Sequence, residues 1–123
     1  QLERLVTLHP DHIFYNGSDE MLLSGLSAGA DGGIGTTYNF MFDIIRGIYD
    51  NFVKGDLATA REYQTRAIRI ISVLLNYKII PAAKAVLEAQ GYAVGNATFP
   101  MKRYTGEEKA TIVEQMKASG LKV

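Results

Sequence analysis

The sequence predicts an α/β protein in which two short parallel strands alternate with helices before the chain becomes wholly helical. Two β-prone stretches are each followed or preceded by a turn that contains glycine, and apolar residues at helical spacing lie between them. A parallel pair of strands joined by a crossover helix is the economical arrangement of this pattern. After Asn39 the apolar residues keep the period of a helix.

The first strand is expected at His12–Tyr15, and Asn16–Ser18 then turns the chain. Asp19 can cap a helix over Glu20–Ala28. The second strand is expected at Gly33–Thr37 and consists largely of small residues, which allow a close backbone approach or leave room for a ligand. Both strands would present polar groups at their carboxyl ends, where the active sites of (β/α) barrels lie.

Four helices are expected in the remainder of the chain. The first ends at Lys54-Gly55, and Asp56 caps a long amphipathic helix that reaches about Lys78. Pro81 can open the third helix in its first turn, and Thr105 begins a capping box for the fourth.

Two parallel strands do not form an independently stable sheet, so their other neighbours must come from elsewhere. We therefore expect this chain to be the C-terminal part of a larger (β/α) barrel. Residues 1–54 would be its last βα units, and residues 55–123 would form a C-terminal helical extension.

Composition and charge argue against several classes of protein. The 123 residues are 47% hydrophobic and can bury a core, and a formal net charge of zero argues against nucleic-acid or anionic-membrane partners. The absence of cysteine excludes disulfides and thiolate metal sites. No apolar run is long enough to cross a bilayer and no signal peptide is visible, so a cytoplasmic protein is expected.

Metal and cofactor sites have little support in the sequence. His9 and His12 flank a turn at the non-catalytic end of the strand and make a poor metal pair. The glycines of Gly32–Gly35 lie in and before a strand, whereas a phosphate-binding loop places them at the start of a helix. We therefore expect no metal and no cofactor.

Two motifs carry a resemblance to a known family. They are Tyr15-Asn16-Gly17-Ser18-Asp19-Glu20 and Gly29-Ala30-Asp31-Gly32-Gly33-Ile34-Gly35-Thr36-Thr37-Tyr38-Asn39. Both resemble the seventh and eighth βα units of the N-acetylneuraminate lyase family, which belongs to the dihydrodipicolinate synthase superfamily of Schiff-base enzymes. The resemblance covers the whole chain. It implies the last two βα units of a (β/α)8 TIM barrel, followed by the family's helical extension.

The resemblance also implies substrate-binding roles for Gly17, Asp19, Glu20 and Thr36. The Gly17 carbonyl, the two carboxylates and the Thr36 hydroxyl would accept hydrogen bonds from the polyhydroxylated tail of a sugar acid. Ionised carboxylates accept hydrogen bonds only, and these bonds are strong. The sequence by itself does not choose between Thr36 and Thr37, and helix capping stays an alternative role for Asp19.

The implied reaction is cleavage of N-acetylneuraminate to N-acetylmannosamine and pyruvate through a Schiff base. In the family, the catalytic lysine lies on the sixth strand, which this chain does not contain. Imine formation needs a desolvated lysine of lowered pKa, and the lysines here fall on helices, helix ends or the C-terminal loop. We therefore expect no catalytic residue in this chain, and no activity when it is alone.

The implied partners are an N-terminal barrel portion that carries the lysine, a sugar acid or pyruvate as substrate, and further copies in a homotetramer. Neither nucleic acid nor a membrane is expected. Two other interpretations stay open. One is a different 2-oxo acid aldolase or a dihydrodipicolinate synthase-like enzyme, and the other is a non-catalytic interaction module that docks a partner through its long helix. The Asp19–Glu20 pair favours a long polyol substrate.

Overall fold

The computed structural model describes residues 1–123, and it places a small parallel sheet against a set of packed helices. The elements in chain order are helix α1 (Leu2–Leu8), strand β1 (Tyr15–Asn16), helix α2 (Leu22–Ser27), strand β2 (Gly32–Gly33), and helices α3 (Phe42–Val53), α4 (Leu57–Leu74), α5 (Ile79–Ala89) and α6 (Gly106–Ala118). A short 3₁₀ turn follows each strand, Asp19–Met21 after β1 and Thr36–Asn39 after β2. The predicted parallel pair with its crossover helix is present.

The two strands pair in parallel, with Tyr15 opposite Gly32 and Asn16 opposite Gly33. Backbone bonds continue the pairing on both sides, since the amide of Asp31 donates to the Phe14 carbonyl at 2.8 Å and that of Ile34 to the Asn16 carbonyl at 2.9 Å. Each strand has only the other as a neighbour, so both outer edges of the sheet are unpaired within this chain.

The second strand is shorter than the sequence predicted, since its pairing ends near Gly33 and the chain then enters the 3₁₀ turn Thr36–Asn39. The physical reason is that β1, the only neighbour of this strand, ends at Asn16, whose carbonyl accepts the last inter-strand bond from the Ile34 amide at 2.9 Å. Further along, the Thr37 amide donates to the Asp19 side chain at 3.0 Å.

The helix expected over Glu20–Ala28 was also wrong in its first turn. The chain forms a 3₁₀ turn first, and the α-helix covers Leu22–Ser27. Asp19 is not the N-cap, because it lies inside the turn while Ser18 occupies the capping position without a side-chain bond. The Asp19 carboxylate is therefore free for a different role.

Local sequence signals determine the ends of the later helices. Gly55 has φ of 80° after α3, and the Asp56 side chain accepts a hydrogen bond from the Thr59 amide at 3.0 Å at the start of α4. Thr105 forms the predicted capping box at the start of α6. Helix α4 ends at Leu74 and not near Lys78 as predicted.

The core is a single hydrophobic cluster to which α2, α3, α4, α5 and α6 all contribute. The largest fully buried side chains are Leu22, Met41, Ile48, Ile70, Leu74, Val86, Ile112 and Met116. Residues on both sides of position 54 share this core. The predicted ranges 1–54 and 55–123 therefore differ in architecture, βα units in the first and helices alone in the second, but they pack around one core.

No single helix combines the length and the apolar character that a bilayer span requires. Taken together, α4 and α5 reach that length and composition, but they are bent by 111° at the break between them.

Candidate functional site

The carboxyl ends of β1 and β2 open onto a cavity of about 430 Å³. All of the residues predicted from sequence to bind substrate line it, namely Gly17, Asp19, Glu20 and Thr36. The first three come from the turn after β1, and Thr36 comes from the turn after β2. The facing wall is apolar and comes from the helical extension, through Ile71, Leu74, Leu75 and Ile79.

Three of these predicted residues have hydrogen-bond acceptors without a partner in the chain. The Gly17 carbonyl, the Glu20 carboxylate and the Thr36 hydroxyl make no intramolecular hydrogen bond, and all three residues are exposed. The backbone carbonyl of Thr36, in contrast to its hydroxyl, accepts a hydrogen bond from the Asn39 side-chain amide at 2.9 Å. The site therefore presents several free oxygen acceptors to one small volume.

Asp19 is only 9% exposed, and its two carboxylate oxygens have different surroundings. Its Oδ2 accepts two hydrogen bonds from Thr37, at 3.0 Å from the amide and 2.6 Å from the hydroxyl. Its Oδ1 accepts none and is not fully enclosed. One oxygen of this carboxylate therefore joins the two βα turns, and the other is available to a ligand.

Gly35 explains how the two turns come so close together. A Cβ atom at this position would overlap the Asp19 carboxylate, so only glycine leaves space for it. Gly33 has a similar constraint, since a Cβ there would lie 2.5 Å from the Tyr38 hydroxyl and 2.7 Å from Leu22 Cδ1. The small residues of the second motif thus serve close packing at these two positions.

The Tyr38 hydroxyl lies behind the site and is fully buried without a hydrogen-bond partner. Burial raises the pKa of Tyr38 to about 12, and the negative charge of Asp19 adds to the rise. The nearby Asn16 side chain opposes this rise in pKa, although the two groups form no hydrogen bond of normal geometry. Tyr38 therefore stays neutral and acts as a packing residue.

Gln64 was not predicted from the sequence as a site residue, and Thr37 was considered only as an alternative to Thr36 for binding substrate. Gln64 is buried on α4, accepts a hydrogen bond from the Leu23 amide at 2.9 Å and donates to the Asp19 carbonyl at 3.3 Å. A detectable signal existed for Gln64, because it is a polar residue on the stripe that Ala60 and Ala67 continue. No local signal distinguishes Thr37 from its neighbour Thr36.

The only charged residues that line the cavity are Asp19 and Glu20, and no lysine or arginine lies there. Several lysines are engaged elsewhere, for example Lys109 with Glu88 at 2.7 Å. Glu20 also borders a second groove of about 640 Å³ on the helical side, which Arg61 lines. Acceptor carboxylates without a cation suit a ligand that offers hydroxyl donors and disfavour one that offers an anion.

The structure contains no group of three or more histidine, cysteine, aspartate or glutamate side chains arranged to hold a metal ion. The cavity chemistry is therefore that of oxygen acceptors from two turns, supported by amide and hydroxyl donors behind them.

Comparison with known proteins gives one consistent result. The N-acetylneuraminate lyase of Rhizobium meliloti is 40% identical over 114 residues, which are 93% of this chain and 38% of that protein. The crystal structure of N-acetylneuraminate lyase from Mycoplasma synoviae superposes with a TM-score of 0.89 at 28% identity, over 98% of this chain and 42% of that one. The enzyme from Fusobacterium nucleatum, complexed with pyruvate, gives 0.87 at 28% identity, over 95% of this chain and 40% of that one.

This chain thus spans about two fifths of the length of the relatives that it matches. Their similarity to it extends through both the βα turns and the helical extension, in agreement with a partial barrel. The profile of the Dihydrodipicolinate synthetase family matches residues 1–119. The chain therefore belongs to the dihydrodipicolinate synthetase family.

Proposed function

We propose that this chain supplies the sugar-tail side of an N-acetylneuraminate lyase active site. The complete enzyme cleaves N-acetylneuraminate to N-acetylmannosamine and pyruvate. The observation that carries the proposal is the convergence of Gly17, Asp19, Glu20 and Thr36 on one cavity, with unoccupied acceptors on each of them. The residues come from two turns separated in sequence, so their convergence depends on the fold.

The negative charge of the cavity favours one orientation of the substrate, with its hydroxylated tail toward Asp19 and Glu20. A sugar acid has a carboxylate at its reacting end and several hydroxyl donors at the other end. Asp19 and Glu20 attract the hydroxyl donors and repel the carboxylate. The tail therefore enters this cavity, and the 2-oxo acid end lies toward the residues that form and break bonds.

Those reacting residues come from an N-terminal barrel portion, the proposed partner of this chain. It supplies the lysine that forms the imine and the strands that pair with the free edges of β1 and β2. Residues 1–54 then complete the barrel, and residues 55–123 cover its end as the helical extension. Assembly as a homotetramer and a cytoplasmic location belong to the same proposal, and they rest on the family resemblance.

The test is to produce this chain with an N-terminal barrel portion, from its own gene or from the Rhizobium meliloti relative. Pyruvate release from N-acetylneuraminate is measured for the complex and for each part alone. Activity is expected only from the complex. A variant of the N-terminal portion without its strand-end lysine is the matched control and should be inactive.

Two results would contradict the proposal. One is a complex that folds but cleaves another 2-oxo sugar acid with a higher kcat/KM than N-acetylneuraminate. The other is a pyruvate adduct on this chain when it is produced alone, since the proposed imine forms elsewhere.

A further inference from the structure

The pairing of Thr37 with Asp19 is the most strongly buried polar contact at the site. Thr37 is 3% exposed and uses both of its donors on one oxygen, Asp19 Oδ2, at 3.0 Å from the amide and 2.6 Å from the hydroxyl. The two residues are 18 positions apart and belong to different βα turns. A contact between the two turns that form the cavity controls how their side chains are presented.

The geometry restricts the Asp19 carboxylate to one orientation. The terminal torsion of an aspartate is broad and roughly two-fold, so an isolated carboxylate exchanges its two oxygens easily. Two donors on Oδ2 oppose that rotation, and the backbone of Gly35 lies directly against the carboxylate. As a result, Oδ1 remains without a partner and is not fully enclosed.

We propose that Thr37 is a positioning residue for substrate specificity, which holds the Asp19 carboxylate so that its Oδ1 accepts a hydroxyl of the substrate tail. This inference rests on the proposed function and extends it to Thr37, a cavity residue whose amide and hydroxyl donors are both used on Asp19. Thr37 acts through Asp19 and does not contact the reacting atoms.

The experiment compares Thr37→Val, which removes the hydroxyl and keeps the shape, with Thr37→Ser, which keeps both donors. Both are made in the complete enzyme. Thr111→Val is the matched control, because Thr111 is exposed and its hydroxyl bonds only to the Glu107 carbonyl of its own helix, at 3.0 Å. Each variant is assayed with N-acetylneuraminate and with a six-carbon 2-oxo-3-deoxy sugar acid, which lacks the terminal carbons of the tail.

Thr37→Val should lower kcat/KM for N-acetylneuraminate about tenfold, mainly through KM, because the lost contact serves ground state and transition state alike. The six-carbon substrate and borohydride trapping of the pyruvate imine should be unaffected. Thr37→Ser should restore the wild-type values. If Thr37→Val gives no folded protein, Thr37→Ala removes the same hydroxyl with less crowding and is measured in the same way.

Equal losses with both substrates, no loss with either, or failure of Thr37→Ser to restore specificity would overturn the positioning role, because Thr37 would then only join the two turns. These outcomes are distinct from failure of the proposed function. In that case the wild-type complete enzyme would not cleave N-acetylneuraminate at all, and both proposals would fall.

Discussion

Replacing Glu20 and Asp19 by alanine, one at a time, separates substrate binding from stability at the same site. Glu20 is exposed and has no intramolecular partner. Glu20→Ala should therefore change the free energy of unfolding by less than about 0.5 kcal/mol. Asp19→Ala leaves the buried amide and hydroxyl of Thr37 without their acceptor. That should cost about 2–6 kcal/mol of stability, since each of the two buried unpaired donors costs about 1–3 kcal/mol.

Both substitutions should nevertheless reduce recognition of the sugar tail. A substrate hydroxyl that loses a charged acceptor loses about 1–3 kcal/mol, which corresponds to roughly a tenfold to hundredfold lower kcat/KM for N-acetylneuraminate. The assay is pyruvate release by the complete enzyme, together with thermal unfolding and borohydride trapping of the pyruvate imine. Imine trapping should be unchanged in Glu20→Ala, because the lysine lies in the N-terminal portion.

Glu62→Ala is the control for loss of a carboxylate, because Glu62 is exposed on α4 and does not line the cavity. The reasoning would be refuted if Glu20→Ala kept full kcat/KM for N-acetylneuraminate. It would also be refuted if the loss of sugar-acid cleavage were matched by an equal loss of imine trapping, since Glu20 would then act on the fold or on the reacting end.

Three further predictions follow from neighbouring residues. Gln64→Leu removes the hydrogen bonds to the Leu23 amide and the Asp19 carbonyl and should destabilise the complete enzyme by about 1–3 kcal/mol, measured by thermal unfolding; an unchanged Tm would contradict this. Tyr38→Phe removes a buried hydroxyl without a partner and should not lower Tm at neutral pH. Because the folded-state pKa of Tyr38 is raised from 10.0 to about 12, the stability of the wild type should fall as pH rises through that interval. The stability of the variant should fall less over the same pH range. Borohydride treatment with pyruvate should give no adduct in this chain, and peptide mass spectrometry would detect one on Lys54, Lys78, Lys84, Lys102, Lys109, Lys117 or Lys122.

The helical half of the fold was predictable because its signals are local. Asp56 caps α4 through a residue three positions away, and Thr105 and Glu108 cap α6 in the same way. The β2 region was not predictable in detail, because its length depends on where its neighbour β1 ends, and the turn after it is held by the Asp19 carboxylate, 18 positions from Thr37. Propensity along the chain predicts a strand through Thr37, and these distant contacts override it.

The candidate site shows the same division. The family resemblance identified the residues that line the cavity, but not the residues that hold them. Thr37 and Gln64 contact Asp19 although they lie 18 and 45 positions from it in the sequence. Hydrophobic periodicity does not indicate contacts between residues so far apart. Burial and the bonds to Asp19 separate Thr37 from the adjacent Thr36, and both depend on the assembled turns.

The helical extension does more than cover the end of the sheet. Through Gln64, α4 holds the turn that carries Asp19 and Glu20, and through Ile71 and Leu75 it forms the wall opposite the acceptors. Both faces of the proposed tail site therefore belong to this chain. Binding of the tail and formation of the imine are then separable in space. Changes in α4 can alter which sugar acid is accepted while leaving the imine chemistry of the N-terminal portion intact.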